Sequence, residues 1–291
     1  MRITFERSGV GSPPFIGLFP RSCLCAAVLH RALETWSGAD AALPSLVAPF
    51  YSAAVGGGST THVYIPLGLP VGPCFDVLYK PLLDFPFSLA MSTSPAEGLP
   101  GRRGSESVFN AFVSSLKAST LLRHTSTPAT AVAAANAQLP LERVRGLFEE
   151  CVHGAAASAV PAAAAAGGGA PTLVPLRILL RAPAEGSEAV VVIQEGVKKN
   201  TSLLGAVVGA LQRAGGYMAE ARSVILTEEG GAGGGSSSAG THTAILAGAQ
   251  IHTVGGLWGA PVEEVEAAAR LPDGWLYISL CRSAGYGSLG M

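Results

Sequence analysis

Leu173-Val174-Pro175-Leu176-Arg177-Ile178-Leu179-Leu180-Arg181 sets Val174, Leu176, Ile178 and Leu180 on one side of an extended chain and Pro175, Arg177, Leu179 and Arg181 on the other. That is the period of a strand with one face on a core. Ala189 to Gln194, rich in valine, reads as its hairpin partner. Over Thr201 to Ala214 the period changes: Leu203, Leu204, Val207, Val208 and Leu211 fall on one helical face, with Thr201 or Ser202 as N-cap. Further on, Ile245 to Ile251 reads as a strand. Pro261 opens a short helix whose Glu263, Glu264 and Glu266 complement its dipole, and Trp275 to Leu280 forms a closing strand.

The same order occurs near the N-terminus. Arg2 to Glu6 and Phe15 to Phe19 form a hairpin, and Cys25, Val28, Leu29, Ala32, Leu33 and Trp36 make the apolar face of a helix over Ser22 to Trp36. A strand at His62 to Ile65, a short helix around Cys74 to Tyr79 and a strand at Phe85 to Met91 follow. Asp84-Phe85-Pro86 and Asp273-Gly274-Trp275 each put an aspartate before a closing strand, an internal repeat. The expected fold class is therefore α+β: two ubiquitin-like β-grasp modules, residues 1–100 and 173–282, flank a helix-rich middle at 105–153. The Ala/Gly run at 154–172 is a low-complexity linker, 229–240 a Gly/Ser insertion in the second module, and 283–291 a tail. A shorter Gly-rich stretch, 56–61, reads as a loop.

Composition narrows the function classes. The chain has 291 residues, of which 13% are charged, and a net charge of −1. No overall field would recruit nucleic acid or an anionic membrane. The uncharged stretches 41–75 and 154–176 are interrupted by proline and by glycine clusters, so neither offers the roughly 20 consecutive apolar residues of a spanning helix. The apolar patch Phe15 to Phe19 is stopped by Pro20 and Arg21, too short for a secretory signal. Five cysteines without framework spacing point to a reducing, cytoplasmic compartment.

No enzymatic constellation emerges. No glycine precedes a lysine, so a phosphate-cradling loop is absent, and Gly9-Val10-Gly11 runs into Pro13-Pro14 where a nucleotide site needs a helix. Cys23/Cys25 and Cys151/His153 are spaced i, i+2, which on a helix puts the members of each pair about 200° apart. We expect buried, reduced thiols there, no metal, no cofactor and no catalytic residues. The lysines are Lys80, Lys117, Lys198 and Lys199, and only Lys117 lies in the helical middle. On the helix Ser105 to Leu122 the apolar stripe is Phe109, Phe112, Val113 and Leu116. Lys117 sits about 80° from its centre, amid an outer face of Asn110, Ala111, Ser114 and Ala118. No acid stands at i±3 or i±4 to pair with it. An open, unpaired ε-amine suits a covalent acceptor and equally a solvated surface lysine.

Several stretches, in this order, resemble the autophagy protein 5 family. They are Pro14-Phe15-Ile16-Gly17-Leu18-Phe19-Pro20-Arg21; Ile65-Pro66-Leu67-Gly68 with Phe75-Asp76-Val77-Leu78; Leu271-Pro272-Asp273 with Trp275-Leu276-Tyr277-Ile278-Ser279; and Phe112-Val113-Ser114-Ser115-Leu116-Lys117-Ala118 through Arg123-His124. The resemblance implies that Lys117 accepts, in an isopeptide bond, the C-terminal glycine of the ubiquitin-like autophagy protein 12, delivered by E1-like and E2-like enzymes. It further implies that the conjugate binds the coiled-coil autophagy protein 16. Together they would promote lipidation of autophagy protein 8 as an E3-like stimulator, peripheral to the phagophore membrane. Two other classes compete: a ubiquitin-like modifier, since the chain ends Leu289-Gly290-Met291, and a non-conjugated cytosolic β-grasp scaffold.

Overall fold

The computed structural model describes residues 2–7, 13–37, 48–55, 59–64, 68–78, 87–92, 104–123, 140–153, 172–181, 190–217, 219–221, 224, 242–246, 249–250 and 257–282. The Ala/Gly linker up to residue 171, the Gly/Ser insertion, the tail, Lys80 and the Asp84 member of the repeat lie outside them. Two five-stranded sheets have the same order. The first is β2-β1-β5-β3-β4 and the second β7-β6-β10-β8-β9. Their strands are β1 (Arg2–Arg7), β2 (Phe15–Leu18), β3 (Ala48–Val55), β4 (Ser59–Tyr64) and β5 (Phe87–Ser92), then β6 (Leu173–Arg181), β7 (Val190–Lys198), β8 (His242–Leu246), β9 (Ala249–Gln250) and β10 (Leu276–Arg282). In each sheet a hairpin opens the module and the last strand lies parallel beside the first, β5 on β1 and β10 on β6. Helix α1 (Cys25–Ser37) and α2 (Val71–Leu78) belong to the first module, and α5 (Leu203–Arg213) and α6 (Val262–Ala269) to the second. Between them stand α3 (Gly104–Leu122) and α4 (Leu141–His153). The chain is thus an α+β protein of two ubiquitin-like modules and intervening helices.

Backbone hydrogen bonds make the repeat explicit. Where α1 and α2 begin, Cys25 N–H donates to Leu69 O at 2.9 Å and Val71 N–H to Cys23 O at 2.8 Å. Where α5 and α6 begin, Leu203 N–H donates to Ala260 O and Val262 N–H to Thr201 O, both at 2.9 Å. Leu24 facing Pro70 therefore corresponds to Ser202 facing Pro261. A proline before each short helix fits, because the missing N–H would have no helical partner. Ser202 is the N-cap of α5, its Oγ accepting from Gly205 N–H at 3.2 Å.

Three sequence expectations are corrected. Strand β3 falls where no element was expected, and residues 59–61 of the Gly-rich stretch open β4 instead of closing a loop. The single strand at Ile245 to Ile251 is two short antiparallel strands, β8 and β9, on either side of Ala247-Gly248. The third concerns burial: β6 was expected to bury one face, and it buries both. Val174, Leu176, Ile178 and Leu180 meet α5 and α6 in one core. Arg177 and Leu179, on the opposite face, are also buried, and Leu179 joins Val190, Trp275 and Tyr277 in a second core shared with α1 to α4. The covering of this second face brings the middle helices onto the sheet.

Candidate functional site

Helix α3 is held by two contiguous sets of contacts. Phe112 and Leu116 are buried and Phe109 and Val113 half-buried, as the apolar stripe requires. Phe148 of α4 meets Phe109 and Phe112 edge-on at centroid distances of 5.3 and 5.6 Å. Ala111, expected on the outer face, is buried as well.

The second set is polar and was not anticipated. Ser115 and Ser119, spaced i, i+4 on one side of α3, and Arg123 just past its end meet the turn before β10. Ser115 Oγ donates to Asp273 Oδ2 at 2.9 Å, and Ser119 Oγ to Asp273 O at 2.9 Å. Arg123 Nη2 donates to Gly274 O at 2.7 Å, and Trp275 Nε1 to Ser115 O at 3.0 Å. Gly274 has φ +86°, and a Cβ there would run into Ser119 Oγ, so the turn needs glycine twice over. Beneath it, Arg177 Nη1 donates to Ser115 Oγ and Tyr277 OH, both at 2.7 Å, and stands 3.4 Å from Asp273 Oδ2. Its guanidinium lies 4.0 Å over the Trp275 ring. With the Gln194 amide oxygen turned toward it, Arg177 also donates from Nη2 and Nε at 3.3 Å. Tyr277 OH donates to Asp273 Oδ2 at 2.6 Å. The sequence signal was available: an arginine in the middle of an apolar strand, and small polar residues four apart on a helix. Their pairing, 62 residues apart for Arg177 with Ser115 and 158 for Ser115 with Asp273, was not.

Glu266 also departs from its expected part in the α6 dipole. It is buried and ion-paired with Arg123, the residue after α3, and stands 3.4 Å from Arg270. It therefore adds a third tie between α3 and the second module.

Lys117 lies opposite this anchor. It is exposed, on a stripe with Asn110, Ser114 and Leu121, and no hydrogen bond or ion pair joins it to a described residue. Ser114 Oγ is occupied with Asn110 O at 2.8 Å. Of the other lysines, Lys198 is exposed and Lys199 half-buried, both at the turn from β7 to α5. The side chains of all six histidines lie outside the described residues.

Burial pushes the Asp273 carboxyl above the usual carboxylate range, against the pull of Arg177, Tyr277, Ser115 and the Trp275 N–H. Asp76, ion-paired with Arg21, is likewise raised by burial. Tyr277 is raised well above the ordinary phenol value, by burial first and the Asp273 charge second, and stays a neutral donor. A raised folded-state carboxyl holds its proton where the unfolded chain has lost it, so stability from this source increases as pH falls through that window. In thermal melts the wild type should therefore gain on Asp273→Asn as the pH is lowered from 7 toward the ordinary carboxylate range. A constant difference in Tm across that range would refute the shift.

The cysteines are free and buried, as expected. Burial pushes Cys23 and Cys281 up to about 12. Cys25 is raised well above the ordinary thiol value, first by its hydrogen bond with Cys74 and then by burial, and Cys151 by burial. For a thiol near 12, the thiolate fraction at pH 8 is on the order of one in ten thousand, and only the thiolate alkylates readily. Iodoacetamide should leave these four cysteines untouched in the folded chain and label all five in denaturant. Prompt labelling of any of the four in the native state would contradict their burial.

Among solved structures, the chain is similar to Kluyveromyces marxianus Atg5, with a TM-score of 0.51 and 14% identity over 96% of this chain and 95% of that one. No protein-family model and no curated protein matches the sequence. At this identity the likeness shows the fold. No helix among the described residues is long and apolar enough to cross a membrane.

Proposed function

We propose that this chain is a non-catalytic acceptor and scaffold in autophagy, joined through Lys117 to the ubiquitin-like autophagy protein 12. The conjugate, with autophagy protein 16, promotes lipidation of autophagy protein 8 for autophagosome formation, from the cytoplasm and at the surface of the phagophore membrane. The observation that carries this reading is the placement of Lys117, an exposed amine on a helix anchored from behind, in a fold like that of Atg5.

The chemistry asks little of the acceptor. The deprotonated Nζ attacks the carbonyl carbon of the modifier's C-terminal thioester on the E2-like cysteine. The C–S bond breaks as the C–N bond forms, the thiolate leaves on the E2-like enzyme, and the proton shed by the amine passes to water. The acceptor must only present the nucleophile and let a second protein approach it.

The test is reconstitution with the E1-like and E2-like enzymes, the modifier and ATP, followed by mass spectrometry of the adduct. An isopeptide at Lys117 supports the reading. An adduct on another lysine, or a stable complex without any adduct, overturns the assignment, the latter in favour of a non-conjugated scaffold.

A further inference from the structure

Ser115 and Ser119 flank Lys117 at i−2 and i+2, each about 200° around the helix from it. Fixing those two residues therefore fixes the direction in which Lys117 leaves the helix. Their partners, with that of Arg123, are three consecutive residues of one turn, Asp273, Gly274 and Trp275.

We propose that the turn Asp273-Gly274-Trp275 is the positioning element of the acceptor site: it sets the rotation of α3 about its own axis and so aims Lys117. This rests on the reading of Lys117 as the acceptor. The burial of Phe112 and Leu116 holds the helix down in proportion to area and sets no bond angle, and the edge-on contacts with Phe148 tie α3 to α4 and not to the second module. Hydrogen bonds weaken steeply when bent. Four of them, to successive positions of one tight turn, resist rotation where packing alone would permit it. A rotation of about 20° swings a group roughly 6 Å from the axis by about 2 Å. Displacements of that order matter when a nucleophile must meet a carbonyl carbon held on another protein. The four-carbon stem of lysine recovers part of the displacement, so the expected loss is tenfold and not thousandfold. In the transfer itself the turn touches no reacting atom: the thioester C–S bond is exchanged for the C–N bond at Nζ, with the amine proton released to water.

The test compares wild type with Ser115→Ala/Ser119→Ala. At saturating charged E2-like enzyme, the turnover of transfer to Lys117 should fall at least tenfold, with KM within about twofold. Acetylation of Lys117 by a small N-hydroxysuccinimide ester, which approaches from any direction, should stay within about twofold. Wild-type turnover in a cooperatively melting double variant overturns the positioning role and leaves Lys117 as acceptor. An equal fall in both reactions also overturns it, since α3 would then have been lost and not merely re-aimed. Absence of a Lys117 adduct in wild type removes the acceptor reading and the positioning role together. If the double variant does not melt cooperatively, Ser119→Ala alone is judged by the same criteria.

Discussion

Lys117→Arg is expected to abolish the conjugate with autophagy protein 12 while leaving the fold unchanged. Arginine keeps the charge and most of the stem, but its guanidinium does not deprotonate under physiological conditions and cannot attack a thioester. At an exposed helical position with no ion-pair partner among the described residues, the exchange should shift stability by no more than about 0.5 kcal/mol. Lys80→Arg, Lys198→Arg and Lys199→Arg should each retain the conjugate. Denaturing gels of the reconstituted reaction read the adduct, and thermal melts verify the fold. Undiminished adduct in Lys117→Arg would remove the assigned site. Truncation after Arg282 separates the modifier class, because a donor would lose the heavy species with its tail and an acceptor would keep it.

What the sequence disclosed of this fold follows from where its order is local. The β6 to β7 hairpin and α5 were legible because alternation, helical period and the Ser202 cap are all written within a few neighbouring residues. Strand β3 was not, for Ala48-Pro49-Phe50-Tyr51-Ser52-Ala53-Ala54-Val55 lies in an uncharged stretch without alternation. It is a strand because β4 and β5 pair with it on either side, a tertiary cause that overrides propensity. The site divides in the same way. Lys117 could be placed off the apolar stripe by counting residues. Its anchor could not, since Ser115 and Ser119 look like solvent-facing residues until Asp273 is brought against them. Even Arg177, conspicuous in an apolar strand, was assigned to the open face of a sheet that α3 in fact covers.

The anchor's strength is expected to show in Arg177→Met. Both ends of the Arg177–Asp273 pair are buried, with side-chain exposures of 6% and 2%. Methionine follows the arginine stem, so what is lost is the guanidinium: its charge, its hydrogen bonds to Ser115, Tyr277 and Gln194, and its place over Trp275. What remains is a buried carboxylate with Ser115 and Tyr277 as donors but no cation, and breaking such a pair from one side costs about 3–5 kcal/mol. Without the guanidinium, Asp273 is raised further and takes up a proton as the pH falls, so the loss should shrink on acidification. Arg177→Met/Asp273→Asn, which removes the stranded charge, should recover part of it. Glu195 and Arg213 supply the contrast: their pair, 2.5 Å apart, has side-chain exposures of 24% and 61%, and Arg213→Met should cost less than about 1 kcal/mol. Urea unfolding of the four proteins at neutral and mildly acidic pH decides the matter. Equal losses for Arg177→Met and Arg213→Met, or a loss in Arg177→Met that ignores pH, would mean that the network is not what seats α3. If instead the expected pattern holds, transfer to Lys117 should weaken in Arg177→Met while the chain is still folded, because the Ser115 hydroxyl then loses one of its two partners.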